Sequence, residues 1–194
     1  MKTMKLFLTL ALTGFMATAQ TTWNVDNAHS SVRFTIAHMV ISEVEGTFST
    51  FTGSINQTTA DFSKATFNLN IDVASVNTNN AKRDGHLKGV DFFEVASYPN
   101  IAFKSTSVVK KDNKNYTLKG DLTMHGVTKP ISFDLVYTGT IKDPWGGTRA
   151  GFKATGTISR ADFNLKYNSA MDNGGVLIGD EVTFNIKLET VQAK

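Results

Sequence analysis

The chain has no cysteine. No disulfide can staple the fold, no lipidated cysteine can anchor it, and a domain of this kind must be held together by its core alone. Charge of one sign is also missing. Discounting Lys2 and Lys5 takes the formal charge from +3 to +1, with 17 acidic side chains against the remaining 18 of 20 basic ones. Nothing in that balance points to a nucleic-acid partner. Internal repeats, linkers and low-complexity segments are absent, so one domain is expected. The four histidines, His29, His38, His86 and His125, lack close metal-ligand spacing, and no metal site is expected. Ser31 and Ser159 lack the surroundings of a nucleophile elbow.

Among the aromatics, polar handles are scarce: 14 Phe stand against two Trp and four Tyr. That excess points to a wide apolar interior. The first 19 residues read as a secretory leader, with Lys2 and Lys5 ahead of the apolar run Leu6 to Met16 and a small-residue cleavage site at Ala17-Thr18-Ala19. The run is too short to span a bilayer. Mature protein is therefore expected to begin at Gln20, periplasmic or secreted and without a membrane anchor.

From Trp23 onward apolar and polar residues alternate with the period of half-buried strands. Ala65, Phe67, Leu69, Ile71 and Val73 give the cleanest example, set against Thr66, Asn68, Asn70 and Asp72. A change of phase between Phe48 and Phe51 predicts a bend near Thr50. About eight long strands are expected, nearly all joined by short turns. A two-sheet sandwich would give the same alternation, but unbroken neighbour-to-neighbour connections favour an all-β, eight-stranded antiparallel up-and-down barrel.

The alternation breaks between Ser75 and Pro99. Asn79 is positioned to cap a short helix over Asn80 to Leu87, with Gly89 as terminator. Asp91 and Glu94 resemble a second capped turn ending at Pro99, with Phe92 and Phe93 between. A short helical insertion carrying adjacent aromatics is expected to cover a barrel mouth. Asp84, His86 and Arg83 allow an acid–base reading, but hydrogen bonding of the insertion to the rim is the simpler expectation. Arg160 and Asp162 are expected to pair locally.

The stretches His29-Ser30-Ser31-Val32-Arg33-Phe34, Gly46-Thr47-Phe48, Ser75-Val76-Asn77-Thr78 and Arg83-Asp84-Gly85-His86-Leu87 carry a resemblance. So do Tyr98-Pro99-Asn100-Ile101, Leu122 through Pro130, Ile158 through Phe163 and Ile178 through Val182. In this order they resemble the YceI-like family of lipid- and polyisoprenoid-binding proteins, over roughly Trp23 to Leu188. The resemblance implies a lipocalin-like barrel that holds one isoprenoid chain, exported and without established catalytic residues. A ten-residue strand spans roughly 34 Å and, tilted by about 40°, makes a tube about 26 Å tall. Such a tube suits a thin, flexible apolar chain.

The ligand-binding residues expected from these strand faces are Phe34, Ile36, His38, Phe48, Phe67, Leu69, Ile71, Phe103, Leu122, Phe133, Leu135, Phe152, Phe184 and Ile186. Phe92 and Phe93 join them from the insertion. All of them except His38, Phe92 and Phe93 are expected to line one continuous cavity. The partner expected is an isoprenoid lipid or quinone, with no cofactor beyond that lipid, no nucleic acid, and homodimerisation left open. A non-catalytic carrier is the leading reading. The alternative is an enzyme that modifies an isoprenoid or other small lipid at the lid.

Overall fold

The structure is a computed structural model that describes residues 20–59, 61–170 and 175–194; the leader expected over residues 1–19 lies outside the described residues. The strands are β1 Thr21–Val25, β2 Ser31–His38, β3 Ser42–Phe48, β4 Phe51–Gln57, β5 Thr66–Asp72, β6 Val76–Asn77, β7 Asn100–Lys110, β8 Asn115–Met124, β9 Val127–Lys142, β10 Thr148–Ser159 and β11 Ile178–Gln192. One short α-helix, α1 Ala81–Lys88, lies between β6 and β7. The pairing order β1-β4-β5-β7-β8-β9-β10-β11 closes on itself where β11 pairs back onto β1. β2 continues β1 along the same edge of β11, with Val25 opposite Thr190 and Val32 opposite Ile186. β3 continues β4, and β6 continues β5. The result is a closed antiparallel barrel of eight long strands, three of them broken once.

The three breaks are laced together. Asn27 donates its side-chain amide to the Ser49 carbonyl and accepts from Phe51 N–H, both at 3.2 Å. Ser49 N–H in turn donates to the Ser75 carbonyl at 3.3 Å. Each break leaves ladder groups unpaired, and buried backbone groups need partners. Placing the breaks side by side lets each supply the next. The bend expected near Thr50 is this feature, and it lets both Phe48 and Phe51 point inward, at 2% and 5% exposure.

Inside, the two halves of the barrel differ. An eight-stranded barrel is just wide enough for side chains to fill, and the lower half is filled but for a void of about 50 Å³. Phe62, in the β4–β5 connection, closes that end by packing on Phe152 at 4.8 Å and on Tyr137 at 5.1 Å between ring centroids. Asp61 fixes the loop by accepting from Ser63 and from Lys110. The upper half is open, because β6 pairs only with β3 and the chain then leaves the sheet until Asn100.

A charge cluster fastens the outside of the lower half. Arg149 Nη1 lies 2.8 Å from Asp26 Oδ2 and 2.6 Å from Glu189 Oε1, and its Nε lies 2.9 Å from Asp143 Oδ2. This joins the end of β1 to β11 and to the β9–β10 hairpin, across the seam where the barrel closes. Hydrogen bonds from Arg149 and then His29 hold the Asp26 carboxyl down at about 2, against an ordinary value of 3.8. A carboxyl depressed by folding adds stability that is complete above its unfolded value and is lost as pH falls through the folded one. Acid should therefore loosen the seam between about pH 4 and pH 2. Thermal unfolding midpoints should drop more steeply across that window in wild type than in Arg149→Met; parallel curves would contradict the assignment.

Candidate functional site

A cavity of about 440 Å³ occupies the upper half of the barrel. Phe34, Ile36 and His38 reach it from alternate positions of β2, as the strand period requires. Val44 and Phe48 face it from β3, Ile158 from β10, and Val182 and Phe184 from β11. Leu165, Tyr167 and Leu177 close one side from the connection after β10, and Ile178 from the start of β11. The polar lining groups His38, Thr78, Asn80, Lys82, Arg83, His86 and Arg160 belong to the lid and the rim. Beside them the hairpin between β2 and β3 presents Val40 and Ile41 at 74% and 86% exposure.

The lid, residues 78–99, is tied down locally. Asn80 caps α1 by accepting from Arg83 N–H at 3.0 Å, and Gly89 ends it. The cap expected at Asn79 is thus one residue later; Asn79 itself takes a left-handed φ of 59°, which turns the chain into the helix. Asp84 accepts from Thr78 N–H at 2.8 Å and from its hydroxyl at 2.6 Å, while Arg83 donates to the same hydroxyl and to the Thr78 carbonyl. The sequence's Arg-Asp pair therefore anchors the helix to the end of β6. His86 bonds not to Asp84 but to Asp91, at 2.9 Å, and its ring stands edge-on to Phe92 and Tyr167.

The second turn expected at Asp91 and Glu94 forms as one turn only, in which Ser97 and Tyr98 donate their N–H groups to the Glu94 carbonyl ahead of Pro99, and it does not grow into a helix. Before it, Phe93, Glu94 and Val95 donate their N–H groups back to the carbonyls of Leu87, Gly89 and Lys88. That use of the chain satisfies carbonyls a helix end leaves open. It also sets Phe92 into the cavity at 8% exposure and Phe93 against Phe48, with ring centroids 6.0 Å apart.

Arg160 departs from expectation. It does not pair with Asp162, which lies 4.0 Å from Lys129. Arg160 is buried, at 5% exposure, and it donates to the carbonyls of Gly179, Leu165 and Tyr167 at 2.8, 2.5 and 2.9 Å. Three carbonyls on two sides of one loop need a fork of N–H donors, which arginine alone provides. Burial pushes the pKa of this guanidinium down, opposed by Asp180.

Every residue expected at the ligand site lines an interior space, but among the described residues they divide between two spaces instead of sharing one. Phe34, Ile36, His38, Phe48, Phe92, Phe93 and Phe184 line the mouth cavity. Phe67, Leu69, Ile71, Phe103, Leu122, Phe133, Leu135, Phe152, Phe184 and Ile186 line a deep void of about 50 Å³. The rings of the lower half take up the difference. Leu165, Tyr167, Leu177 and Leu87 are the wall residues that strand alternation did not single out. Leu87 carried a faint signal, as a lone large apolar residue in a polar helix.

Among the described residues one group of His and carboxylates is close enough to share an ion: Asp26, His29 and Glu189. The Arg149 guanidinium already binds two of these carboxylates, which opposes a second cation there.

The geometry defines a class: a closed eight-stranded barrel, plugged at one end and open at the other onto an apolar cavity under a helical lid. The chain belongs to the YceI-like family, whose domain model matches residues 23–190. It is 41% identical over 169 residues to protein YceI of Escherichia coli, covering 87% of this chain and 85% of that protein. BcnA of Burkholderia cenocepacia has a similar fold, with a TM-score of 0.74 at 23% identity over 85% of this chain and 98% of that one. A polyisoprenoid-binding domain from Saccharophagus degradans, described as implicated in plant cell wall breakdown, matches with a TM-score of 0.64 at 19% identity. That match covers 88% of this chain and 98% of the domain.

The role of Arg160 is directly testable. Arg160→Met removes the donors of three carbonyls and should cost about 3 kcal/mol of unfolding free energy. Limited proteolysis should then cut first between Arg160 and Ile178. A variant as stable and as resistant as wild type would show that the loop holds without it.

Proposed function

We propose that the protein is an exported, non-catalytic carrier of an amphiphile whose polyisoprenoid tail lies in the mouth cavity. The observation that carries this reading is the cavity itself: apolar walls below and polar groups confined to the rim and lid, in a barrel whose far end is closed by Phe62. Apolar burial is worth roughly 25 cal/mol per Å², so a tail supplies most of the affinity and needs few polar contacts. The polar rim is suited to a head group, of a quinone or a polyprenyl lipid, held near His38, Asn80, Lys82 and His86. Likeness of fold to a polyisoprenoid-binding domain supports the same choice. Export is proposed from the leader-like residues 1–19 and places the carrier in the periplasm or outside the cell.

One observation favours the enzyme as a second reading. The His86–Asp91 hydrogen bond sits at the cavity mouth, and such a pair orients an imidazole for proton transfer. Its exposure, with side chains 42% and 52% accessible, speaks against the tuned environment catalysis needs.

Extraction of purified protein with organic solvent, followed by mass spectrometry, should recover an isoprenoid lipid. Loading should raise the unfolding midpoint relative to delipidated protein, because a ligand bound only by the folded state stabilises it. Phe92→Ala with Phe93→Ala should release a fluorescent isoprenoid probe faster, since affinity changes appear mainly in the off-rate. His86→Ala should leave the lipid chemically unchanged. Release at the wild-type rate from the double variant would contradict the lid's role, and conversion of lipid lost in His86→Ala would establish the enzyme.

A further inference from the structure

Among the described residues Phe184 is the one side chain that lines both the mouth cavity and the deep void. Its surroundings explain why it stays between them. On β2 its cross-strand partner is Phe34, and on β10 it is Gly156. Phe34 in turn stands opposite Gly46 on β3. Gly46, Phe34, Phe184 and Gly156 thus form one row across four adjacent strands. Both glycines in the row are recesses in the wall, and both are already filled. A Cβ on Gly46 would lie 2.2 Å from the tip of the Phe34 ring, and one on Gly156 would lie 2.5 Å from the Phe133 ring. Phe34 therefore lies back over Gly46 and faces the mouth cavity, while Phe133 lies over Gly156 and faces the void below. Neither glycine recess is left for Phe184, whose side chain borders both spaces.

We infer that Phe184 is the floor of the lipid site and sets the length of tail the protein accepts. This rests on the reading that the tail lies in the mouth cavity. At roughly 30 Å³ per heavy atom, the share of a water molecule in the liquid, 440 Å³ seats about fifteen carbons, or some three isoprene units. The void of 50 Å³ beneath holds one or two more atoms. A longer tail has two courses. It leaves carbons at the rim, or it displaces the Phe184 ring and repacks the rings of the lower half. The farnesyl tail is the match for the space as it stands.

The test is a length series of prenols, geraniol, farnesol, geranylgeraniol and solanesol, each competing with bound anilinonaphthalene sulfonate. In wild type, affinity should rise about tenfold or more from geraniol to farnesol. Beyond farnesol it should change by less than about threefold, because added carbons gain no burial. Phe184→Ala should carry the rise on to geranylgeraniol. Phe184→Leu, which keeps a large apolar side chain, should do the same in smaller degree and answers the question should the alanine variant fail to fold. Phe184→Trp should move the break to a shorter tail. An unbroken rise to solanesol in wild type, or one length profile shared by wild type and the leucine and tryptophan variants, overturns the inference and leaves the carrier intact. Failure of every prenol to compete in wild type overturns the carrier reading, and this inference with it.

Discussion

An antiparallel meander of this length has two free edges until its last strand finds its first, and closure at β11 sets both the bore of the barrel and the space inside it. β11 pairs with β10 along one edge and with β1 and then β2 along the other. Closing the sheet removes the open edges that would otherwise seek partners. It also fixes the bore, since strand number, tilt and diameter are linked. The Arg149 cluster sits on this seam, where a charged fastening ties the first strand to the last.

With the bore fixed, whether a cavity exists depends on which residues leave the wall. In the lower half none do, and the Phe62 loop and the surrounding rings fill the space. In the upper half the chain between Asn77 and Asn100 abandons the sheet, and the mouth opens where it does so. One excursion therefore both creates the opening and supplies the residues that cover it. Its attachment is local: Arg83 and Asp84 grip Thr78 at its base, while Phe92 and Phe93 reach across to Tyr167 and Phe48. The far end is held as well, by the bond from Val73 N–H to the Pro99 carbonyl, so the cover is pinned at both ends and packed by rings between them.

Much of this architecture was legible in the residues. Period-2 alternation identifies the inward faces, and a meander of short turns identifies the neighbours, because both are local properties of the chain. The bend at Thr50 showed as a change of phase. Other features are properties of the closed barrel and have no local mark. That Phe62 is a plug depends on which strands surround it. That the interior is two spaces depends on Phe34 and Phe133 lying over glycines of adjacent strands, a fact of register. The partners of Arg160 are carbonyls, which every residue carries, so a nearby Asp162 was the misleading cue. The stretch after α1 closes one turn at Glu94 and no helix, because the N–H groups of Phe93, Glu94 and Val95 serve the carbonyls at the end of α1.

The central claim is that a lipid tail occupies the space above Phe184. A crystal structure of the delipidated protein reloaded with farnesol bears on it most directly. The account predicts a continuous chain of density from the rim near His38 and His86 down to the Phe184 ring, in contact with Phe34, Phe48 and Phe92. Density confined to the outer surface of the barrel, with the mouth cavity occupied by ordered water alone, would contradict it.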